Sequence, residues 1–162
     1  MRNIKRYSFS GLMVVVICGL GLANANAQTA KSRAAASSAT AAVQQPLYTN
    51  YKGISLGMTA QEVRSTLGAP AMKADDQDYF TFSDHETAQI YYDAAHKVTT
   101  ISVDYAGGVG APDHKAVVGA ELETRPNGSL YRVVRYESQG FWVSYSRTTG
   151  ELVIVTITIQ KI

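Results

Sequence analysis

The sequence predicts an α+β fold in which short helices pack on one face of an antiparallel sheet. A capped helix pattern at residues 59–67 precedes short runs of alternating apolar and polar residues that are separated by turns. A similar order of elements then recurs at an offset of 51 to 53 residues. The folded unit is expected to span residues 47–162, which is the length of one ordinary domain.

The first predicted helix carries signals at both ends. Thr59 is placed to cap the free backbone N–H groups, and Glu62, three residues on, is placed to reach back in a capping box. Val63 and Leu67 are spaced to face one core. Gly68 suits a left-handed position after the last turn, so the helix is expected to end there.

Six strands are predicted from alternation and from the turns between them. The first three and the last three each form a meander, because their connections are too short to cross over the sheet. Their predicted ranges are residues 79–83, 88–93, 98–105, 130–136, 141–147 and 152–160.

The two meanders are predicted to be tandem repeats, covering residues 54–106 and 111–162. Each repeat is a helix followed by three strands, and the glycine-rich residues 107–112 form the hinge between them. The pattern around the first helix is echoed at residues 113–120. Three further anchors pair across the repeats, namely Tyr79 with Tyr131, Ile90 with Val143 and Tyr92 with Tyr145.

Residues 1–27 are predicted to be a cleaved secretory signal peptide. Basic residues are followed by an apolar run at residues 12–22 and by the small-residue tripeptide Ala25-Asn26-Ala27. The run is shorter than the roughly 20 residues that a membrane-spanning helix needs. Ile17 precedes the single cysteine, Cys18, where a lipoprotein peptidase prefers a small residue. We therefore expect a periplasmic or secreted protein, and an outer-membrane lipoprotein is the less favoured alternative.

Residues 28–46 are rich in Ala, Ser, Thr and Gln and are predicted to be a disordered tether. Removal of the signal peptide would take three basic residues from the fifteen in the chain, leaving twelve against thirteen acidic ones. No basic excess gathers on one face, so nucleic acid is not an expected partner.

The sequence contains no recognisable catalytic motif and no set of residues with metal-ligand spacing. No G-x-S-x-G elbow is present. The run from Asp75 to Asp78 lacks the glycine and glutamate of a calcium loop and is interpreted as a solvated acidic turn. His85 and His96 are predicted in turns at opposite ends of one strand, too far apart to share an ion. We expect no cofactor, no metal, no small-molecule substrate and no enzymatic activity.

The pattern Ile54-Ser55-Leu56-Gly57-Met58-Thr59-x-x-Glu62-Val63-x-x-x-Leu67-Gly68-x-Pro70 resembles the signature helix of the SmpA/OmlA (BamE-like) family. That family has a helical segment packed on a three-stranded antiparallel sheet, and the tandem arrangement is similar to the β-lactamase-inhibitor protein fold. The resemblance implies a non-enzymatic envelope protein that binds other proteins or lipid, in the setting of outer-membrane assembly. The sequence departs from the family pattern by lacking a convincing lipobox and by its second repeat.

Alternation along the strands predicts which side chains are left uncovered by the helices. Aromatic residues among Ser and Thr are typical of protein-binding surfaces, although cross-strand packing that stabilises the sheet is an equal alternative. The predicted partner-binding residues are Gln89, Tyr91, Trp142, Ser144, Thr156 and Thr158, with Thr100 and Ser102 on the same face. The expected partners are envelope proteins, with room for peripheral membrane contact.

A secreted enzyme inhibitor of the β-lactamase-inhibitor type is the alternative function. It would insert turns into its target instead of presenting the sheet. The candidate residues are Tyr79, Asp84-His85 and the turn at residues 137–140.

Overall fold

The computed structural model describes residues 45–162. The predicted signal peptide and nearly all of the predicted tether lie outside the described residues. The described chain has an α+β fold, as predicted, with an eight-stranded antiparallel sheet, two short helices and a small separate hairpin.

The hairpin comes first along the chain, and each helix is followed by four strands of the large sheet. The elements are β1 (Asn50–Tyr51), β2 (Ile54–Ser55), α1 (Ala60–Leu67), β3 (Met72–Lys73), β4 (Gln77–Thr81), β5 (Glu86–Tyr92), β6 (Val98–Ala106), α2 (His114–Val118), β7 (Glu123–Thr124), β8 (Leu130–Tyr136), β9 (Phe141–Arg147) and β10 (Ile154–Lys161). The order across the large sheet is β3-β4-β5-β6-β10-β9-β8-β7.

The large sheet has eight strands where the sequence predicts about six. The two additional strands, β3 and β7, are two residues long and exposed at both positions, so they carry no alternation that could reveal them. They form the two edges of the sheet. Such short edge strands offer little backbone for pairing with another chain. The last strand also begins later than predicted, since Leu152 is exposed in the preceding turn.

Both helices contribute to one hydrophobic core. Ala60 and Val63 of α1 and Val117 and Val118 of α2 are buried in the same cluster as the inward-facing strand residues. Every strand residue predicted to face the helices is buried, namely Ile90, Tyr92, Ile101, Val103, Val143, Tyr145, Val155 and Ile157. Within residues 45–162, neither helix is long and apolar enough to cross a membrane.

The capping box predicted for α1 is present. The Thr59 backbone N–H donates to Glu62 Oε2 at 2.7 Å, and the Glu62 N–H donates to Thr59 Oγ1 at 3.3 Å. Gly68 ends the helix, but with φ 87° and ψ −161° it is not in the predicted left-handed helical conformation. That region of backbone space is essentially restricted to glycine, so the choice of residue is still explained.

The acidic run predicted as a solvated turn is only partly so. Asp75 and Asp76 are exposed, whereas Asp78 lies in β4 and is fully buried. Arg64 and Tyr92 both donate hydrogen bonds to its carboxylate. Asp78 is buried because β4 begins at Gln77, two residues earlier than predicted, and its alternation turns Asp78 and Phe80 towards the helices.

Candidate functional site: the open face of the sheet

The sheet surface opposite the helices is crossed by three rows of side chains, which we call the open face. Each row runs over six strands in the order β4, β5, β6, β10, β9 and β8. The Gln89 row consists of Tyr79, Gln89, Ser102, Thr158, Ser144 and Val133. The Tyr91 row consists of Gln77, Tyr91, Thr100, Gln160, Trp142 and Arg135. The Thr87 row consists of Thr81, Thr87, Asp104, Thr156, Ser146 and Tyr131.

All six predicted partner-binding residues lie on the open face. Three of them share the Gln89 row, two share the Tyr91 row, and Thr156 lies in the Thr87 row. Five are partly exposed. Ser144 is the exception at 7 % exposure, because Val133 and Thr158 flank it on the neighbouring strands. Ser144 is therefore the least accessible of the six, and all six stay predicted contact residues.

Tyr91 and Trp142 lie in the same row, with Thr100 and Gln160 between them. Three strand spacings separate them, a distance of about 14 Å. The Tyr91 hydroxyl donates to Gln89 Oε1, which orients both side chains. The two aromatic residues thus border a central strip of hydroxyl and amide groups on β6 and β10.

The open face is nearly neutral. Of the eighteen side chains in the three rows, only Asp104 and Arg135 are charged, and their signs are opposite. The Asp104 carboxylate is already engaged by the Thr156 hydroxyl, which donates to it at 2.6 Å. At the β8 edge the Arg125 guanidinium lies over the Tyr131 ring, 3.9 Å from its centroid. A highly charged ligand would therefore find little electrostatic attraction at the centre of this surface.

Sequence reasoning missed the outer parts of the open face. Tyr79 on β4 and Tyr131 on β8 add two partly exposed aromatic rings to Tyr91 and Trp142. The same alternation, extended to β4 and β8, would have placed them. Tyr79, which the inhibitor hypothesis counts with the turns, lies instead in the middle of a strand.

The two turns of the inhibitor hypothesis lie at opposite ends of the sheet. Asp84 and His85 follow β4 beyond Thr81, at the end marked by the Thr87 row. The turn at Glu137–Gln139 is a short 3₁₀ helix next to Arg135 and Trp142, at the end marked by the Tyr91 row. The two turns therefore do not form one continuous loop surface.

The predicted turn histidines are exposed and stand at either end of β5, as expected. Among residues 45–162, no three His, Cys, Asp or Glu side chains lie close enough together to hold a metal ion.

No protein-family model matches this chain, and neither the curated proteins nor the solved structures include a significant match to it. The resemblance to the SmpA/OmlA family rests on residues 54–70 and on the arrangement of helix and strands, and it stays a prediction.

Proposed function

We propose that the chain is a non-catalytic binding module of the cell envelope and that its open face binds a partner protein. The observation that supports this most directly is the composition of that face. Four partly exposed aromatic side chains stand among hydroxyl and amide groups, with two charges in eighteen positions. Protein interfaces are enriched in aromatic residues and depleted of charge at their centres.

The dimensions of the open face also suit a protein partner. Six strands make the open face about 24 Å wide. A square patch of the roughly 800 Å² that one partner buries in a standard-size interface has sides of about 28 Å. The turn between β5 and β6 and the turn at Glu137–Gln139 both lie at the Tyr91 end. These turns extend the surface beside Tyr91 and Trp142.

We further propose that the domain consists of two tandem repeats related to the SmpA/OmlA unit. The first residues of α1 and α2 are 54 residues apart in the chain. For the strand pairs β3/β7, β4/β8, β5/β9 and β6/β10 the separations are 51, 53, 55 and 56 residues. The two halves of the sheet meet at β6 and β10. Of the sequence anchors, Tyr79 and Tyr131 both face outwards, although they lie in different rows of the open face. Ile90 and Val143 are both buried in the core. Each repeat differs from the predicted helix-plus-three-strand unit by one added edge strand.

The predicted signal peptide places this function in the periplasm or outside the cell, with envelope proteins as the proposed partners and outer-membrane assembly as the setting. Photo-crosslinking in intact cells tests the proposal. Benzoylphenylalanine at Gln160, between Tyr91 and Trp142, is the probe position. The same group at Gln61, an exposed residue of α1, is the matched control.

We expect a discrete crosslinked protein from position 160 and none from position 61. Trp142→Ala should reduce the crosslinked yield in the probe background. A product only at position 61, or a yield that Trp142→Ala leaves unchanged, would show that the open face is not the binding surface. A secreted hydrolase as the crosslinked protein, with its activity inhibited, would support the inhibitor alternative.

A further inference from the structure

A polar cavity lies on the other face of the sheet, within the second half of the domain. It has a volume of about 550 Å³, opens to solvent, and is lined by the start of α2, the glycine-rich turn after β6 and the inner surface of β8, β9 and β10. This volume is in the range of small-molecule sites. The proposed protein-binding function makes no use of it.

The floor of the cavity is largely apolar. Tyr145 and Val155 are almost fully buried there, and Leu122 and Leu130 complete the apolar wall. The rim carries charges of both signs, with Arg147 on β9, Asp113 at the N-terminal cap of α2 and Glu121 in the segment that follows the helix. A ligand would therefore meet an apolar surface below and separated opposite charges above.

The charges on the rim differ in whether they are already neutralised. Glu121 is engaged by Lys115 at 2.6 Å and lies 3.5 Å from His114 Nε2. Within residues 45–162, Arg147 forms no ion pair with any carboxylate within 4.0 Å. Asp113 uses Oδ1 to cap α2, and among the described residues the one ion-pair partner within 4.0 Å of its Oδ2 is His114 Nδ1, at 3.8 Å. Arg147 and Asp113 are thus the charges open to a ligand.

The Tyr145 side chain lines the same cavity as Arg147 and Asp113. Burial raises the pKa of Tyr145, Arg147 counteracts this rise, and Asp113 adds to it. A small molecule resting on Tyr145 would therefore lie in the cavity that both charges line.

A metal ion is a poor occupant of this cavity. His114 has one carboxylate beside each ring nitrogen, Asp113 at Nδ1 and Glu121 at Nε2. The two nitrogens point in different directions, so the three groups do not converge on a single ion. A simple anion would face two carboxylates, and a simple cation would face Arg147.

We propose that this cavity binds a small zwitterion with an apolar side chain, of the size of an amino acid or a dipeptide. The ligand carboxylate accepts hydrogen bonds from Arg147, and the ligand ammonium group donates to Asp113. The side chain packs on Leu130, Tyr145 and Val155.

Calorimetric titration of the mature chain with leucyl-leucine tests the proposal. Two derivatives each remove one charge, namely N-acetyl-leucyl-leucine and leucyl-leucinamide. We expect saturable binding of the dipeptide and at least about ten-fold weaker binding of each derivative, since each loses a charge-assisted contact. Asp113→Asn keeps a capping side chain on α2 while removing its charge, and Arg147→Gln alters an exposed residue. Both variants should therefore fold.

The variants assign each contact. Asp113→Asn should abolish the preference for the dipeptide over its N-acetyl derivative, and Arg147→Gln should abolish the preference over the amide. Lys73→Gln, at an exposed position on β3 outside both the cavity and the three rows of the open face, is the control and should bind as the wild type does. Lack of saturable binding at millimolar dipeptide, equal binding of the charged and blocked ligands, or unchanged affinity in both cavity variants would overturn the proposal.

Discussion

Arg64 donates two hydrogen bonds to the fully buried carboxylate of Asp78, from Nε to Oδ2 at 2.8 Å and from Nη2 to Oδ1 at 3.0 Å. The Tyr92 hydroxyl donates a third, to Oδ2 at 2.7 Å. These residues belong to α1, β4 and β5 respectively. These hydrogen bonds therefore hold α1 against the sheet. Removal of Arg64 would leave the Asp78 carboxylate buried without a counter-charge.

We expect Arg64→Met to lower the free energy of unfolding by about 3 kcal/mol, because Asp78 would remain buried and unpaired. The double variant Arg64→Met/Asp78→Leu should lose less than the two single variants together, since no isolated charge is left. Urea denaturation of the four proteins measures this cycle. Arg135→Met, at an exposed position, is the control and should change the free energy by less than about 0.5 kcal/mol. Additive losses would contradict the coupling.

The capping box of α1 gives a second prediction. Thr59→Ala should lower the free energy of unfolding by about 0.5–2 kcal/mol, because it leaves a helix N–H without its side-chain acceptor. Glu62→Ala should also destabilise the domain, and the double variant should cost less than the sum because the two bonds are reciprocal. Denaturant melts at neutral pH provide the measurement, and strict additivity would count against a reciprocal box.

The capping box also predicts how the free energy of unfolding depends on pH. The hydrogen bond from the Thr59 backbone N–H, together with that from its hydroxyl, holds the pKa of Glu62 below its ordinary value of 4.5. A lowered pKa in the folded state means that the stabilisation is complete above the ordinary pKa and is lost as the pH falls through the lowered one. The difference in stability between wild type and Glu62→Ala should therefore be constant near neutral pH and shrink below pH 4.5. A difference that persists unchanged into strong acid would exclude this origin.

Buried tyrosines predict alkaline unfolding. Burial raises the pKa of Tyr51, Tyr92 and Tyr105 above the ordinary value of 10. The unfolded chain loses these protons near pH 10 while the folded chain keeps them, so stability is retained below that pH and falls above it. Each such tyrosine contributes a slope of about 1.4 kcal/mol per pH unit. Tyr92→Phe should make the decline shallower in pH-dependent urea melts, whereas an identical slope in this variant would refute its role.

Trp142 and Phe80 should respond differently to truncation. Trp142 is partly exposed on the open face, opposite Gln160 and Arg135 on the neighbouring strands, so Trp142→Ala should cost about 1 kcal/mol. Phe80 is 2 % exposed in the core, and Phe80→Ala should cost about 3–5 kcal/mol. Thermal and urea unfolding of both variants decides the comparison. Equal losses would mean that Trp142 serves packing and not a binding surface.

The sequence by itself determined the ends of α1 and the inward or outward phase of the main strands. Thr59 and Glu62 are three residues apart, and the alternation around Tyr91 and Trp142 runs along single strands, so both signals are local. Most strand limits were predicted within two residues for the same reason. The edge strands β3 and β7 escaped prediction because two exposed residues show no period.

Only the tertiary structure decided which distant residues meet. Cross-strand register placed Tyr91 and Trp142 in one row, although 51 residues separate them in the chain. Folding also brought Arg64 to Asp78 and set Asp113 and Arg147 on one cavity. These contacts depend on how β6 pairs with β10 and on where α2 packs. Burial of apolar surface in the shared core determines both, and no local sequence pattern encodes them.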